Sequence, residues 1–223
     1  MLLMRLAHKI RYSLSLFALM TVLVASMAAQ KLVLDLTKPA AREQQVTSVP
    51  GMSVGGVGGE PRPSGYRLPL TVELVSIDPQ PIKLGNEFTV EVRLRNTSAS
   101  AFFLPASQNA VAVLQHEGKG RRTFSFKLIF EDPKSGRKTL SFAASAVGSE
   151  TAKDSLLRIA PGKEVRVLFI GDLSPIANWS DFSRLQLRAG VSETAFEDRR
   201  YFVERRSEEL VSENAKTVDL VKP

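Results

Sequence analysis

The feature that most limits what this chain can fold into is a two-residue rhythm. In "KLGNEFTVEVRLRNTS", Lys83 to Ser98, the apolar residues Phe88, Val90, Val92 and Leu94 alternate with Thr89, Glu91, Arg93 and Arg95. Successive side chains leave a pleated strand on opposite sides, so this order suits a strand packed on one face and wet on the other. A slip of one residue would bury two arginines and a glutamate, so the register is strongly specified. The stretch reads as scaffold, and function is expected elsewhere.

The rhythm recurs. It takes in Leu68, Leu70, Val72 and Leu74, then Phe124, Phe126, Leu128 and Phe130, then Leu140 and Phe142. Val165, Val167 and Phe169 follow, then Leu185, Leu187, Ala189 and Val191, and finally Val218 and Leu220. Shorter candidates lie at Phe102–Leu104 and Val111–Leu114. The charged stretch Ser192–Ala215 suits a helical turn by composition, but the alternation around Tyr201 and Val203 favours a strand over Arg200–Arg205. "DPQPIKLGN", "EDPKSGRK" and "PGK" supply the proline, glycine and aspartate that turns need. No window from 66 to 190 carries a helical period, which argues against a βαβ plan. The expectation is an all-β domain at residues 66–223, an antiparallel sandwich of about seven or eight strands, with a closed barrel as the alternative.

Residues 1–29 read as an export signal. Arg5, Lys9 and Arg11 lead a short apolar stretch, Leu14–Val24, and "ASMAAQ" offers small residues for cleavage. The apolar part is shorter than the roughly 20 residues that span a bilayer, which favours cleavage over an uncleaved anchor. The product is then exported, periplasmic or extracellular, with no stable membrane span. Residues 30–65 read as a disordered tail and linker. Leu32, Leu34 and Leu36 alternate within "KLVLDLTKPA", and a mobile tail is favoured there over a docked strand. "GGVGGEPRPSG" has no strand before it and no lysine with Ser/Thr at the required places, so it is not a phosphate loop.

Composition removes several chemistries. There are no cysteines, hence no disulfides, thiolate ligands or thiol nucleophiles. Of two histidines, His8 falls in the export signal, leaving His116 alone, so a multi-histidine metal site is excluded. The net charge of +7 loses the signal's three cations, giving 7 − 3 = +4. That is a solubilising charge and no argument for nucleic acid as a partner. "EDPKSGRK" lacks the acidic ladder of a calcium loop.

Four stretches together carry a family resemblance: "PIKLGNEFTVEVRLRNTS", "RIAPGKEVRVLFIGDLS", "DFSRLQLRAGVSE" and "SENAKTVDLV". They resemble bacterial extracytoplasmic immunoglobulin-like modules of the fibronectin-III-like and cell-adhesion-related kind. The matching positions are Gly85–Thr97, Ile159–Lys163, Asp172–Ser174 and Leu187–Ala189, within residues 68 to 221. The resemblance implies an immunoglobulin-like β-sandwich and leaves the role open, because that scaffold hosts many functions. Two departures stand out: Leu185 occupies the place of the corner tyrosine, and the inter-sheet cysteine pair is absent.

No catalytic, cofactor or metal residues are assigned. His116 in "LQHEGKGRR" has no G-x-S-x-G serine to activate, and reads as a solvated loop residue. Lys119, Arg121 and Arg122 beside it form the less compensated of two basic clusters; in the other, Arg199, Arg200, Arg205 and Arg206 interleave with acids. Trp179 in "NWSDF" reads as a lid over one end of the sandwich. His116, Lys119, Arg121, Arg122 and Trp179 are therefore the candidate partner contacts. Asn96-Thr97-Ser98 and Asn178-Trp179-Ser180 match glycosylation acceptors. The functional expectation is an exported non-catalytic binding or assembly module that uses strand edges and loops. Its partner would be an extracytoplasmic protein or an envelope component. The alternative is a secreted hydrolase inhibitor with an inserting loop near Gln115–Arg122.

Overall fold

The strand that carries the rhythm most clearly, Phe88–Asn96, sits inside a sheet, and its four apolar residues are all buried. The computed structural model describes residues 32–38, 66–108, 120–136, 138–171, 173, 182–196 and 204–221. The proposed signal, the stretch 39–65, the Val111–Leu114 candidate, His116, Lys119 and Trp179 lie outside those residues. The chain divides into residues 1–32 and a body, Val33–Pro223, which is described here; Leu32 enters only as the first residue of a strand.

Among the described residues thirteen strands run in order: β1 (Leu32–Asp35), β2 (Leu70–Asp78), β3 (Ile82–Lys83), β4 (Phe88–Asn96), β5 (Phe102–Pro105), β6 (Arg121–Glu131) and β7 (Lys138–Ser149). Then come β8 (Leu156–Ile159), β9 (Glu164–Gly171), β10 (Arg184–Phe196), β11 (Glu204–Arg206), β12 (Leu210–Val211) and β13 (Lys216–Val221). One sheet has the order β1-β9-β4-β2, and a larger one β3-β13-β10-β6-β7; β5 and β8 form a separate pair. In the larger sheet β10 pairs with β6 from Gln186 to Phe196, while β13, β12 and β11 share its other side in succession.

The protein is thus all-β, with two corrections to the expectation. Strands number more than eight because β3, β11 and β12 are two or three residues long, too short to show a period, while β1 falls in the stretch expected as tail and β8 is a four-residue strand without clear alternation. The sheets are also mixed. β3 pairs parallel with β13, where Ile82 is buried beside Leu220 and the Leu84 amide donates to the Val221 carbonyl at 3.0 Å. Among the described residues no helix is long and apolar enough to cross a membrane.

The two larger sheets share a core. Phe88, Val90, Val92 and Leu94 of β4 and Val165, Val167 and Phe169 of β9 are buried, as are Phe124, Phe126, Leu128 and Phe130 of β6. The Phe126 and Phe169 rings, one from each sheet, lie 5.3 Å apart and tilted, a favourable aromatic spacing. Contact is close enough that a Cβ on Gly171 would stand 2.5 Å from the Phe88 ring and 2.8 Å from Leu128. Only glycine lets β9 end there.

Asn96 closes β4 from within. Its side chain is fully buried, donates to the carbonyls of Ser100 (2.8 Å) and Ile159 (3.0 Å), and accepts from the Ser98 amide (2.9 Å) and hydroxyl (2.8 Å). Every bond that amide can usefully make is made. A glycan on Asn96 would replace one of the two Nδ2 hydrogens, both of which are used, and would need space at a fully buried side chain, so this acceptor motif is structural. The "PGK" turn leans on the same residue: Gly162, at φ +68°, donates its amide to the Asn96 carbonyl at 3.0 Å.

Candidate interaction edges and a buried charge cluster

Of the five residues proposed as partner contacts, Arg121 and Arg122 fall within the described residues, and neither is a loop-tip cation. Both open β6. Arg122 precedes Phe124 by two residues, so it shares that strand's core-facing side, and its side chain is 19% exposed. Glu193 follows Val191 by two on β10 and is likewise core-facing, with 1% exposed. Pairing places Glu193 opposite Phe124 and Arg122 opposite Ala195, one step apart on a diagonal. The Arg122 Nε donates to Glu193 Oε1, and its Nη2 donates to the Phe103 carbonyl. Its guanidinium carbon stands 5.4 Å from the centre of the Phe102 ring, a cation–π distance. The Tyr66 hydroxyl donates to Glu193 Oε2.

A buried carboxylate is tolerable only when its charge is matched and its lone pairs are filled. Arg122 and Tyr66 meet both conditions. Burial, then the hydrogen bond to Glu193, pushes the Tyr66 phenol well above its ordinary pKa, so the ring stays neutral and donating. Backbone bonds fix the same corner: Ser207 Oγ accepts from the Glu193 amide at 2.8 Å, and the Glu208 amide donates to the Tyr66 carbonyl at 3.0 Å. The cluster therefore ties the chain's entry at Tyr66 to β6 and β10.

The outer face of β2, β4 and β9 carries a second set of charges. Cross-strand pairing sets Arg93 directly opposite Arg166, which would repel. Acidic neighbours offset this: Arg93 lies 3.1 Å from Glu73, directly opposite it on β2, and 3.6 Å from the diagonal Glu164, and Arg166 lies 2.8 Å from the diagonal Glu91. Arg95 joins Glu73, Arg93, Glu164, Glu213 and Asn214 around an open polar cavity of about 410 Å³. Three arginines face three glutamates on these strands, so the surface presents little net field. Among the described residues no group of three or more His, Asp or Glu converges to hold a metal ion.

Sheet margins differ in how they are finished. The outer edge of β2 is plugged by a side chain: Asn214 Oδ1 accepts from the Leu74 amide, and its Nδ2 donates to the Leu74 carbonyl, both at 2.8 Å. A side-chain amide thereby imitates a neighbouring strand. The plug is anchored to β10, where Ser212 Oγ accepts from the Ala189 amide at 3.1 Å. A bulge between Leu74 and Ser76 further distorts this edge, a common way of deterring strand addition.

β7 ends the larger sheet and is finished differently. Ala144 pairs with Phe126 but Phe142 pairs with Lys127, so Ala143 is an extra, bulged residue. The bulge reverses the alternation beyond it. Ala146 and Ser141 are buried, and Leu140, expected from the sequence to share the core rhythm, is turned to the outer face and is 57% exposed. Among the described residues, Val33, Phe103 and Val211 are the other exposed large apolar side chains on strands at sheet margins, in β1, β5 and β12.

β1 corrects the reading of Leu32–Asp35 as tail. It docks beside β9 with Leu34 and Leu36 buried and the Leu36 amide donating to the Leu168 carbonyl at 2.7 Å. The leucine alternation is a strand signal because an open edge was present to receive it. Asp35 stops the strand: it accepts from the Thr37 hydroxyl (2.6 Å) and amide (3.0 Å), which holds its carboxyl below the usual range. β1 is held by two buried leucines and by edge hydrogen bonds of about 1 kcal/mol each, against the entropy cost of ordering its backbone, so its hold is marginal.

No family model matches the chain, and no curated protein does. Among solved structures it is similar to the alkylpurine DNA glycosylase AlkC of Pseudomonas fluorescens bound to DNA containing an abasic site analog, at 9% identity and TM-score 0.33, over 70% of this chain and 31% of that one. It is similar to the sporulation control protein Spo0M of Bacillus subtilis at 10% identity and TM-score 0.27, over 68% of this chain and 49% of that one. The putative ApaA protein of Bordetella pertussis gives 13% identity and TM-score 0.31, over 70% and 97%. The chain thus spans under half the length of the first two, and likenesses this low assign neither family nor activity.

Proposed function

We propose that this chain is an exported, non-catalytic binding or assembly module, built on an immunoglobulin-like antiparallel sandwich and engaging another extracytoplasmic chain through its strand edges. The observation that carries this reading is Leu140. A bulge at Ala143 turns a large apolar side chain out of the core rhythm and onto the strand that ends the larger sheet. The bulge re-aims Leu140 to the outer face, and an exposed leucine there offers a partner an apolar side-chain contact. Ser107 pairs with β7 at Val147, far along the strand from Leu140, so the contrast with β2, sealed by Asn214, supports a partner site limited to the Leu140 end of β7. Arg122 is engaged inward by Glu193, which takes that one residue out of the inserting loop of the alternative reading; Gln115–Lys119 of that loop lie outside the described residues. The test is proximity crosslinking of the exported chain in its native envelope, wild type against Leu140→Lys. A partner recovered by wild type and reduced at least tenfold by the variant is expected. An identical partner profile for both chains refutes the edge reading.

A further inference from the structure

The marginal hold on β1 points further than β7 does, because the occupant of that edge is visible. Leu34 and Leu36 fill it, and the segment that supplies them is separated from Tyr66 by the 27 residues 39–65. Fully extended, a tether of that length reaches at most about 90 Å. A domain of the body's length has a radius of gyration of about 16 Å. Length alone therefore lets β1 reach the β9 edge of another molecule as readily as its own. The contacts are the same in either case, and concentration decides between them.

We propose that β1 is an exchangeable strand, and that the β9 edge of one copy accepts Leu32–Leu36 from a second copy of this chain. The proposal rests on the reading that the protein works through strand edges, and adds which edge and which partner. Exchange needs no new surface. The acceptor must present the Leu168 carbonyl to an incoming amide, as it does to Leu36, and must take in two leucines at alternate positions. Val33 and Asp35, which alternate with them, stay exposed, so an incoming strand need bury only the two leucines. Reciprocal exchange closes a dimer; one-way exchange extends a chain.

The experiment uses the exported full-length chain and a fluorescent peptide, KLVLDLTK, copied from Lys31–Lys38. In the variant Leu34→Asp/Leu36→Asp the chain's own strand is weakened and the acceptor vacated. The peptide is expected to bind this variant saturably, at least tenfold tighter than it binds wild type, whose own strand competes. A peptide with aspartate at both leucines should not bind. Mixing wild type with the variant should give a one-to-one complex by native mass spectrometry, which the variant does not form by itself. Hydrogen exchange on wild type supplies a reading independent of any variant's folding: the Leu36 amide should exchange at least a hundredfold faster than the Val92 amide. Equal protection at the two sites overturns the proposal. So does a folded variant that ignores the peptide, or one that binds the peptide yet forms no mixed complex up to about 1 mM, the scale a tether sets for its own strand. Leu140-dependent partner recovery can survive all three failures, so the two readings fall separately.

Discussion

Replacing Arg122 by methionine keeps most of the side chain's volume and removes its charge, leaving the Glu193 carboxylate buried with Tyr66 as its remaining side-chain donor. Glu193 is 1% exposed, so water cannot take over from the guanidinium. Orphaning one member of a buried pair costs about 3–5 kcal/mol. Losing the contact with the Phe102 ring adds about 0.5–2 kcal/mol, and the Phe103 carbonyl loses a donor. The orphaned charge dominates. For a body of this size the loss lowers the melting temperature by about 6–20 °C. Urea denaturation followed by circular dichroism measures it directly. The decisive comparison is Arg122→Met with Glu193→Gln in the same chain, which removes both charges and leaves an amide oxygen as an acceptor for Tyr66. Much of the stability should return, with a coupling energy of at least about 2 kcal/mol in the double-mutant cycle. Additivity within about 0.5 kcal/mol would show that the two charges do not depend on each other, and the account of the cluster would be wrong.

Tyr66→Phe should cost about 1–2 kcal/mol at neutral pH through the lost hydrogen bond. It should also change the alkaline limb: the wild-type phenol titrates above its unfolded value near 10, so its contribution is complete below that pH and declines as pH rises above it, a component the phenylalanine variant lacks. Stability curves of the two proteins that run parallel above pH 10 would refute this. Asn214→Ala opens the β2 edge and removes two hydrogen bonds, which predicts a loss of about 1–3 kcal/mol and concentration-dependent association by light scattering. A variant that associates no more than wild type at every concentration tested would mean that the Val75 bulge and the Glu213 amide bond to the Val72 carbonyl protect this margin without Asn214.

Much of the scaffold was legible because a strand's side-chain period is two, and burial follows it without regard to what pairs with what. Phe88 to Leu94, Phe124 to Phe130 and Leu185 to Val191 are all buried as their parity requires. The same arithmetic reaches the charge cluster: Arg122 stands two before Phe124 and Glu193 two after Val191, both in phase with the core. Grouping Arg122 with Lys119 and Arg121 as a basic cluster beside a loop gives weight to residue type over phase. Phase alone, carried one step past the last apolar residue, would have placed two opposite charges inside the fold and required them to meet.

Other features were beyond a local reading for a different reason. Asn214 seals Leu74 from 140 positions away, and nothing near either residue announces the other. Leu140 lies in an alternating run that a single inserted residue, Ala143, puts out of phase, and a bulge in an alanine-rich segment has no compositional mark. β1 is the most instructive case. "LVLDL" has the strand period, yet so short a run cannot hold itself, so whether it is strand or tail depends on an edge formed more than a hundred residues later in β9. The same dependence makes it exchangeable. A strand that owes its order to an acceptor rather than to its neighbours in sequence is indifferent to which molecule the acceptor belongs to, and only the tether and the protein concentration break that tie.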